Sequence, residues 1–370
     1  HDPFLMKDMD AAVERLQEAI DQQEKVLLFG DYDVDGNTAV ALLHTFLKDT
    51  LPVDYYIPDR YTEGYGVSKK GIDVAEEHEV SLIISLDCGI KSNEEVAYAS
   101  SKGIDFIVCD HHEPGAELPD AIVLDPKRSD CEYPYKELSG CGVGFKLLQG
   151  LSEVNNWNQD VLFDHLDLLA VSIGADIVPI TGENRTLCYH GMNRLNSNPR
   201  PAFKALLDLA KKSIPVNLTD VIFNIAPRIN AAGRLRSGRH AVQLMISEDI
   251  NEIQQVAAEI NADNIERREL DKEITEEALA QLETASADRH TNIVYQDSWH
   301  KGVVGIVASR VMETHYKPTI VLTKSNGLIT GSARSVASFN LHDALEQCSE
   351  LLEQFGGHFH AAGLTLKEEN

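Results

Sequence analysis

Four short apolar runs in the first half of the chain each end at an aspartate. The runs and the aspartates after them are 25–30 with Asp31, 81–86 with Asp87, 106–109 with Asp110, and 121–124 with Asp125. Uninterrupted aliphatic runs are typical of strands buried on both faces of a parallel sheet. Open parallel sheets bind their ligands at the carboxyl ends of the strands. The pattern therefore predicts a sheet whose acidic edge is a ligand site.

The remaining pattern divides the chain into three parts. Residues 1–215 alternate strand-like and helical patterns, which predicts a doubly wound α/β domain with a parallel sheet. Residues 216–285 begin with a stretch rich in Asn, Pro, Gly and Arg, and we predict that 215–245 is irregular. A long helical pattern over 250–282 follows, apolar at both ends and polar between them, as expected of a connector helix. Residues 286–370 predict a smaller α/β domain.

Individual elements can also be predicted within these parts. An amphipathic helix over 7–22 opens the chain, and a helix over 158–174 leads to Asp176. Strand-like runs at 292–295 and 319–322 belong to the smaller domain.

The bulk composition is that of a globular protein, with 43% hydrophobic and 25% charged residues. No apolar run approaches the ~20 residues of a membrane helix, and no signal-peptide pattern opens the chain. The six cysteines lack C-x-x-C spacing, and several lie in apolar runs, where a reduced thiol acts as a small hydrophobe. A cytoplasmic location is expected. Because the first residue is His1, we interpret the chain as a trimmed part of a longer protein.

The net charge is −26, which argues against a protein that coats DNA. Two segments are nevertheless basic. Residues 221–240 contain several arginines and no acid, and residues 298–340 contain Lys301, Arg310 and other basic residues against the single acid Glu313. A local groove for a polyanion is therefore compatible with the acidic total.

The first acidic motif is Asp31-x-Asp33-x-Asp35-Gly36. Three carboxylates at alternate positions after a strand can point into one small volume, and hard divalent cations prefer such oxygen ligands. The motif overlaps the start of an EF-hand loop, but position 12 is Leu42 rather than glutamate. Its alternative interpretation is a capping turn with solvated acids. Carboxylates this close repel one another unless cations lie between them, which favours a metal centre.

The second motif is Asp110-His111-His112. One imidazole can bind a metal while its neighbour faces a substrate, and a nearby carboxylate can fix the tautomer. A histidine pair alone is more often surface or core packing. Asp87 and Asp176 are weak signals singly, because aspartate is a frequent helix cap. These five residues gain significance from their shared position at strand or helix ends.

The basic segments contain small residues next to arginine, at 230–234 and 331–335. Small residues let backbone N–H groups approach a phosphate, which arginine can bind with two hydrogen bonds. If 331–335 is extended, Ser332 and Arg334 lie on one face and can bind one anion. Solvated arginines on tight turns are the alternative. Gly356-Gly357-His358 is either part of such a site or ordinary glycine punctuation, and Tyr61 and Tyr65 either stack on bases or fill the core.

Together these motifs resemble the DHH phosphoesterase superfamily, and within it the RecJ single-strand DNA exonucleases. The resemblance covers almost the whole chain and depends on the combination rather than on any single motif. Its segments are 1–6, 30–36, 57–61, 64–66, 86–89, 110–112, 142–144, 299–310 and 356–358.

The resemblance implies a two-metal nuclease, dependent on Mn²⁺ or Mg²⁺, that degrades single-stranded DNA from the 5′ end to mononucleotides in repair and recombination. When the family's motifs are matched to this sequence, the metal ligands that the resemblance implies are Asp31, Asp33, Asp35, Asp87, His111 and Asp176. The implied catalytic residues are His112, Asp87 and Asp110, with His112 on the scissile phosphate and Asp110 and Asp125 supporting the ligands from behind. The implied substrate-binding residues are Arg60, Tyr65, Arg228, Asn230, Arg234, Ser332, Arg334, Gly356, Gly357 and His358. Among them, Arg60, Arg234, Ser332 and Arg334 are expected to grip the 5′ phosphate.

Two other functions stay open at this stage. Relatives that share the metal motifs are phosphodiesterases for short oligonucleotides or cyclic dinucleotides, and a catalytically dead scaffold is a third possibility. Full-length members of the family continue into an OB-type DNA-binding domain, so the present chain is expected to be catalytic but weaker in DNA affinity. The expected partners are single-stranded DNA, a single-strand-binding protein and a helicase, with no membrane.

Overall fold

The computed structural model describes residues 1–283 and 289–370. The chain divides into two compact units, His1–Asp263 and Asn264–Asn370. The division falls within one long helix, whereas the sequence pattern placed boundaries at 215 and 285; that three-part division stays a prediction.

The first unit alternates strands with helices. Its strands are β1 (Val26–Gly30), β2 (Val53–Tyr56), β3 (Leu82–Leu86), β4 (Asp105–Cys109) and β5 (Ile122–Leu124). Its helices are α1 (Met9–Gln22), α2 (Val34–Leu47), α3 (Lys69–Glu77), α4 (Asn93–Ser101), α5 (Gly140–Val154), α6 (Gln159–Phe163), α7 (Leu166–Ala175), α8 (Gly182–Ser197), α9 (Pro201–Leu209), α10 (Leu218–Asp220), α11 (Ala226–Leu235) and α12 (Arg239–Ile246). A 3₁₀ turn covers Pro3–Leu5, and a π-helical turn covers Val221–Ile225.

The strands of the first unit form one parallel sheet in the order β2-β1-β3-β4-β5. Every residue of β1 and β3 is buried. Alternate residues of β1 enter two different cores, with Leu28 in one and Leu27 and Phe29 in the other. The predicted doubly wound parallel sheet is therefore confirmed, and β3 to β5 all end just before their aspartates.

Several predicted elements need correction. The first helix begins at Met9 rather than residue 7, and the helix predicted over 158–174 is two helices, α6 and α7. The stretch 215–245 is not irregular, because α10, the π-helical turn, α11 and most of α12 lie in it. Proline at the start of α11 occupies a position where its missing N–H costs no hydrogen bond.

The second unit contains a mixed sheet. Its strands are β6 (Asn292–Tyr295), β7 (Thr319–Ser325), β8 (Leu328–Arg334), β9 (Leu352–Gly357) and β10 (Ala361–Leu366). The helix α13 (Ile250–Glu283) leads into it, and α14 (Val304–Thr314), α15 (Leu341–Glu346) and a 3₁₀ turn at Ser349–Leu351 complete it. The strand order is β6-β7-β8-β10-β9, with only the β6–β7 pair parallel.

Burial alternates along the central strands of this second sheet. In β7, Val321 is buried and packs with α14, whereas Ile320 and Leu322 are half-buried against a small cluster that includes Leu341. The predicted strand at 292–295 is confirmed, and that at 319–322 extends to residue 325. The long helix predicted over 250–282 is confirmed as α13.

Each unit contains one of the two tryptophans. Trp157 packs against Phe46 in the first unit, with ring centroids 5.9 Å apart. Trp299 is 4% exposed in the second unit, where its indole N–H donates to Glu277 at 2.6 Å. Across the described residues, we find no helix with the length and apolar character needed to cross a membrane.

Candidate active site

The Asp31–Gly36 segment turns from β1 into α2. Asp33 caps α2, and its carboxylate accepts the N–H groups of Asp35 at 2.9 Å and Gly36 at 3.2 Å. A Cβ on Gly36 would lie 2.5 Å from the Asp31 carbonyl oxygen, so only glycine fits this tight turn. The turn therefore directs Asp31, Asp33 and Asp35 toward one place.

Asp35 is held by a second helix. Its carboxylate accepts the N–H groups of Gly140 at 2.6 Å and Cys141 at 2.9 Å, which open α5, and the Ser172 hydroxyl of α7 at 2.7 Å. A helix N-terminus favours a negative charge, because its N–H groups and dipole point at it. Asp35 is therefore fixed in orientation while it faces the cluster.

Asp87 directly follows β3 in a left-handed conformation, with φ of 62°. That region is unfavourable for residues other than glycine and is found at functional sites. A Cβ on Gly140 would lie 2.6 Å from the Asp87 Cβ, so α5 starts against this residue. Asp87 is buried, and no described residue donates a hydrogen bond to its Oδ1 atom.

Asp110 and His112 form an ion pair. The Asp110 carboxylate lies 2.7 Å from His112 Nδ1 and accepts the backbone N–H groups of Ile90 and His111. Burial alone would raise the pKa of Asp110, but the hydrogen bond and charge of His112 lower it to about 2. Burial opposes protonation of His112, but the bond to Asp110 raises its pKa to about 9. His112 is therefore a cation near neutral pH.

His111 has the opposite character. Its Nε2 atom lies 3.2 Å from Asp87 Oδ1, 3.5 Å from Asp176 Oδ2 and 3.8 Å from Asp35 Oδ2. Burial lowers the pKa of His111, and both of its ring nitrogens lack a hydrogen-bond partner within the described parts of the chain. A neutral imidazole with a free nitrogen among three carboxylates is a metal ligand by its chemistry.

The carboxylates of the cluster repel one another. Burial, and then the charge of Asp33, raises the pKa of Asp31 well above its usual range. Burial followed by the charge of Asp35 likewise raises the pKa of Asp87 strongly, that of Asp33 clearly, and that of Asp176 to about 8. Such crowding needs positive charge between the carboxylates.

The available ligand atoms fit that need. Three groups at this edge each offer three ligand atoms within 4.8 Å of one another. They are Asp31 with Asp33 and Asp87, Asp35 with His111 and Asp176, and Asp87 with His111 and His112. Asp31 Oδ1 and Asp87 Oδ1 are buried, and neither accepts a hydrogen bond from residues 1–283 or 289–370. Donorless carboxylate oxygens beside a neutral imidazole are suited to divalent cations.

A group of aromatic and basic side chains borders the cluster on the β2 side. The Arg60 guanidinium lies 4.6 Å from the centre of the Tyr32 ring, and the Tyr61 hydroxyl donates to the Arg234 carbonyl. The positive charges of Arg60 and Arg234 both act on Tyr32, although burial dominates and raises its pKa to about 12. The structure thus brings Arg60 and Arg234 together beside Asp31.

Tyr65 lies over the ion pair. Its hydroxyl is 3.3 Å from His112 Nε2 and 3.3 Å from the Asp87 carbonyl oxygen, and its side chain is exposed. The predicted base-stacking role of Tyr65 stays a prediction, but its position beside His112 suits a group that contacts a substrate.

Two further predicted residues lie on α11. Arg228 donates to Asn261 Oδ1 at 3.0 Å and to the Asn224 carbonyl oxygen at 2.6 Å, which ties α11 to its neighbours. Asn230 is half-buried on the same helix. These contacts of Arg228 are structural, and a role of either residue toward substrate stays a prediction.

The second unit holds the remaining predicted residues. Ser332 and Arg334 lie on one face of β8, and Arg334 Nη1 donates to Ser332 Oγ at 2.9 Å. A Cβ on Gly305, in the first turn of α14, would lie 3.1 Å from that hydroxyl. A helix start, a hydroxyl and a guanidinium therefore meet, as in anion sites. In the same sheet, Gly356, Gly357 and His358 close β9.

Sequence reasoning missed the residues that hold Asp35 in place. Ser172 donates to Asp35 from 137 positions away, and Ser139 bonds to Ser172 at 2.6 Å. The available signal was local: Ser139 followed by Gly140 and further glycines marks a capped helix start that can approach another backbone closely.

Comparison with known families agrees with this architecture. The N-terminal domain of the DHH family matches residues 25–173, and the DHHA1 domain matches residues 290–370. The two matches define the class, a DHH-family protein with a DHHA1 domain.

Individual relatives narrow the class. The single-stranded-DNA-specific exonuclease RecJ of Bacillus subtilis is 43% identical over 375 residues, which cover 100% of this chain and 47% of that protein. The RecJ of Salmonella typhimurium is 36% identical and is covered over 67% of its length. A crystal structure of exonuclease RecJ bound to manganese has 32% identity and a TM-score of 0.88, covering 98% of this chain and 91% of that one.

The chain therefore belongs to the RecJ family, as the resemblance implied. It spans about half the length of the Bacillus subtilis relative. Another solved member, RecJ of Thermus thermophilus, was crystallised in complex with Mn²⁺ and superposes with a TM-score of 0.87 at 30% identity, over 98% of this chain and 53% of that one.

Proposed function

We propose that this chain is the catalytic part of a metal-dependent exonuclease that hydrolyses single-stranded DNA from its 5′ end to mononucleotides. The observation that carries the proposal is the sheet edge itself. Buried carboxylate oxygens without donors surround the neutral imidazole of His111, and the cationic His112 lies next to them. The names of the RecJ relatives supply the substrate class.

The proposed metal ligands are those that the sequence predicted. Asp31, Asp33, Asp35, Asp87, His111 and Asp176 would hold two divalent cations, Mn²⁺ or Mg²⁺. Asp87 and His111 each belong to two of the three ligand groups, and Asp87 is the proposed bridge because a carboxylate has two oxygens to offer. When bound, such cations activate water at neutral pH and neutralise charge on the phosphoryl oxygens. This chain's contribution is to hold the ligands rigidly, since Asp33 and Asp35 are fixed by backbone N–H groups.

His112 and Asp110 have a separate proposed role. A protonated imidazole can donate to a phosphate oxygen, where charge develops during hydrolysis. Asp110 keeps His112 protonated and oriented through the bond to Nδ1, so that Nε2 is directed away from Asp110. Tyr65, 3.3 Å from Nε2, marks the side from which substrate would reach His112.

The basic residues are proposed to bind phosphates of the strand. Arg60 and Arg234 in the first unit, and Ser332 and Arg334 in the second, each form a small cationic group suited to a 5′ phosphate. Roles of Tyr65, Arg228, Asn230, Gly356, Gly357 and His358 in substrate binding are proposed on the family resemblance.

End-labelled single-stranded DNA and Mn²⁺ test the function directly. We expect rapid release of mononucleotides from 5′-phosphorylated strands, slow release from 5′-blocked strands, and none from circles, with duplex DNA and RNA as controls. Rapid cutting of circular strands would contradict an exonuclease. A series of substrate lengths separates the alternative: exclusive cleavage of short oligonucleotides or cyclic dinucleotides would favour that phosphodiesterase instead.

A matched pair of variants tests the catalytic site. Asp33→Ala removes the cap and a proposed ligand at the start of α2, and we expect activity to fall by at least about 10³-fold. Asp49→Ala changes an exposed aspartate just beyond the other end of the same helix and should retain activity. Equal activity of both variants would favour the scaffold interpretation, provided that circular dichroism shows both folded.

Partners and location are proposed on the family resemblance. We propose that the protein acts in the cytoplasm, in repair and recombination, together with a single-strand-binding protein and a helicase. All six cysteines are free thiols in the structure, which suits a reducing compartment. Stimulation of digestion by added single-strand-binding protein would support the first partner, and an unchanged rate would count against it.

A further inference from the structure

The edge of the first sheet has a cation at each end. Arg60 follows β2, the outer strand on one side, and Lys127 follows β5, the outer strand on the other. Adjacent strands lie about 4.8 Å apart, so this edge is roughly 19 Å long. The proposed metal ligands from β1, β3 and β4 lie between the two ends. Lys127 was not among the residues that the sequence pattern selected.

The Lys127 side chain is positioned by the turn after β5. Its backbone N–H donates to Asp125 Oδ1 at 2.7 Å, which fixes the turn. Burial raises the pKa of Asp125 to about 7, and the positive charge of Lys127 opposes that rise. Its ion-pair partner Glu113 directly follows His111 and His112 in the chain. The ammonium group therefore lies on the His111 side of the ligand cluster.

This ammonium group is only weakly paired. Within the described residues, its salt bridge is to Glu113 Oε1 at 3.9 Å, and the Glu113 side chain is 79% exposed. The Lys127 side chain itself is 21% exposed. A cation held near the site with so loose a partner is available for an incoming anion.

A cavity of about 420 Å³ adjoins Lys127. Its lining consists of the basic residues Lys127, Arg128 and Lys136, the acids Glu113 and Glu137, and Ser129 and Cys131. Its volume is in the range of small-molecule pockets. Arg128 is bound by Asp8 and Asp130, and Lys136 donates to the Cys131 carbonyl oxygen at 2.6 Å. Lys127 is thus the cation of this cavity with the weakest internal bonds.

We propose that Lys127 and this cavity bind the phosphodiester immediately 3′ of the scissile one. The inference rests on the proposed function, which assigns the 5′ end to the side of Arg60 and Arg234. A strand that continues past the metal ligands then reaches the β5 end of the edge. The Arg60 guanidinium lies over Tyr32, which follows β1, and Lys127 pairs with Glu113, which follows β4, so both cations reach inward from the ends of the edge. Two strand spacings are roughly 10 Å, a distance that two nucleotides of a single strand can span, since nucleotides are at least about 3.4 Å apart. Lys127 would therefore set affinity for the part of the strand that is retained after each cut.

A neutral linkage at one position tests the subsite. The substrates are a 5′-phosphorylated tetranucleotide and the same strand with a methylphosphonate at its second linkage, compared by kcat/KM with Mn²⁺. For the wild type we expect about a tenfold loss on the neutral linkage, the size of one charge-assisted hydrogen bond. Lys127→Gln should lose about the same on the natural strand, mainly in KM, and nothing further on the modified one.

Two variants control this experiment. Lys127→Arg keeps the charge and should retain sensitivity to the neutral linkage. Lys25→Gln removes the same charge at the opposite, amino-terminal edge of this sheet, where Lys25 pairs with Glu79, and should behave as the wild type. If Lys127→Gln shows the full wild-type loss on the methylphosphonate, or lowers kcat equally on both strands, the subsite is wrong.

Failure of the proposed function gives a different result, because the wild type would then cut neither strand. In that case, fluorescence anisotropy of the labelled tetranucleotide measures whether Lys127 contributes to binding of the strand. Weaker binding by Lys127→Gln than by Lys25→Gln supports the subsite, and equal binding overturns it.

Discussion

The two sheets of this protein are built on different plans. In the first unit, β1 and β3 are buried along their whole length between two cores. In the second unit, β7 and β8 alternate between buried and half-buried residues. A parallel sheet covered on both faces keeps water away from its ends, whereas a mixed sheet with a thin second face does not.

This difference between the sheets affects the surroundings of the buried carboxylates in each unit. At the edge of the first sheet water is excluded, so the repulsion between the clustered carboxylates costs free energy. Bound cations would offset that cost. In the second unit a buried carboxylate is paired instead: Asp271 accepts from Arg310 at 2.8 Å. Paired buried acids also occur in the first unit, where Asp263 accepts from Arg236 at 2.7 Å. The edge of the first sheet differs from both pairs because it crowds several carboxylates together.

Core substitutions give the largest expected difference between the sheets. Leu28→Ala, in the middle of β1, should lower the free energy of unfolding by about 3 kcal/mol, because it leaves a cavity in a closed core. Leu322→Ala, at a half-buried position of β7, should cost about 1 kcal/mol, because water can fill the space. Urea unfolding of both variants measures this, and equal losses would contradict the contrast.

Replacing a buried aspartate with asparagine should have opposite effects on stability in the two units. Without added metal, Asp87→Asn should raise the free energy of unfolding by about 2 kcal/mol at pH 7, since it removes a repelled carboxylate whose pKa is raised by burial. The folded state holds the proton more tightly there, so the gain should grow from pH 4 to pH 7. Asp271→Asn should lower stability by a similar amount, because it weakens the bond to Arg310.

Added Mn²⁺ sharpens that test. We expect the melting temperature of the wild type to rise with Mn²⁺ and that of Asp87→Asn to rise less, because the cation binds the folded ligand cluster. Asp271→Asn should respond as the wild type does. A response of Asp271→Asn that matches Asp87→Asn would place the cation elsewhere.

A buried histidine gives the first unit a specific pH dependence. Burial, and then the charge of Arg200, lowers the pKa of His165 to about 4, and its Nδ1 lies 3.0 Å from Arg200 Nη2. The unfolded chain binds this proton near pH 6.5, so stability is lost as the pH falls from about 6.5 toward 4. Between pH 7 and pH 5 the wild type should lose about 2 kcal/mol more than His165→Gln.

The control is His190→Gln, which changes an exposed histidine of the same unit. Urea unfolding at both pH values should show the wild-type slope for this variant. A His165→Gln protein with an unchanged slope would mean that His165 is not held neutral.

The smallest expected effects come from two left-handed residues. Ile177, just after α7, has φ of 58° and is 83% exposed, so little burial offsets its strain. Asn326 has φ of 53° in the turn between β7 and β8, where asparagine followed by glycine is favourable. Ile177→Asn should raise the free energy of unfolding by about 1 kcal/mol, and Asn326→Ile should lower it by about as much. The same sign for both would contradict this account.

The sequence was most informative where chemistry coincided with strand ends. Asp31, Asp87 and Asp110 each follow an uninterrupted aliphatic run. Such a composition is typical of a buried strand, so both the sheet and its acidic edge could be predicted. The ion pair of Asp110 with His112 could be anticipated, because the two residues are only two positions apart in the chain. Local patterns of this kind depend on few long-range contacts.

Composition was misleading where helices pack closely. The Asn, Pro, Gly and Arg of 215–245 indicated irregular chain, yet Gly233 lies inside α11, where a Cβ would come within 2.6 Å of the Tyr32 carbonyl oxygen. The glycine is there for a close approach rather than for a turn. The support of Asp35 by Ser172 likewise joins residues far apart in sequence. Neither contact leaves a periodic signal.

The placement of the two indoles has a practical consequence. Because Trp157 belongs to the first unit and Trp299 to the second, replacing either with phenylalanine leaves tryptophan fluorescence that comes from one unit alone. Emission from each single-tryptophan protein would show whether both halves melt together. A dye or a tag is unnecessary for that measurement.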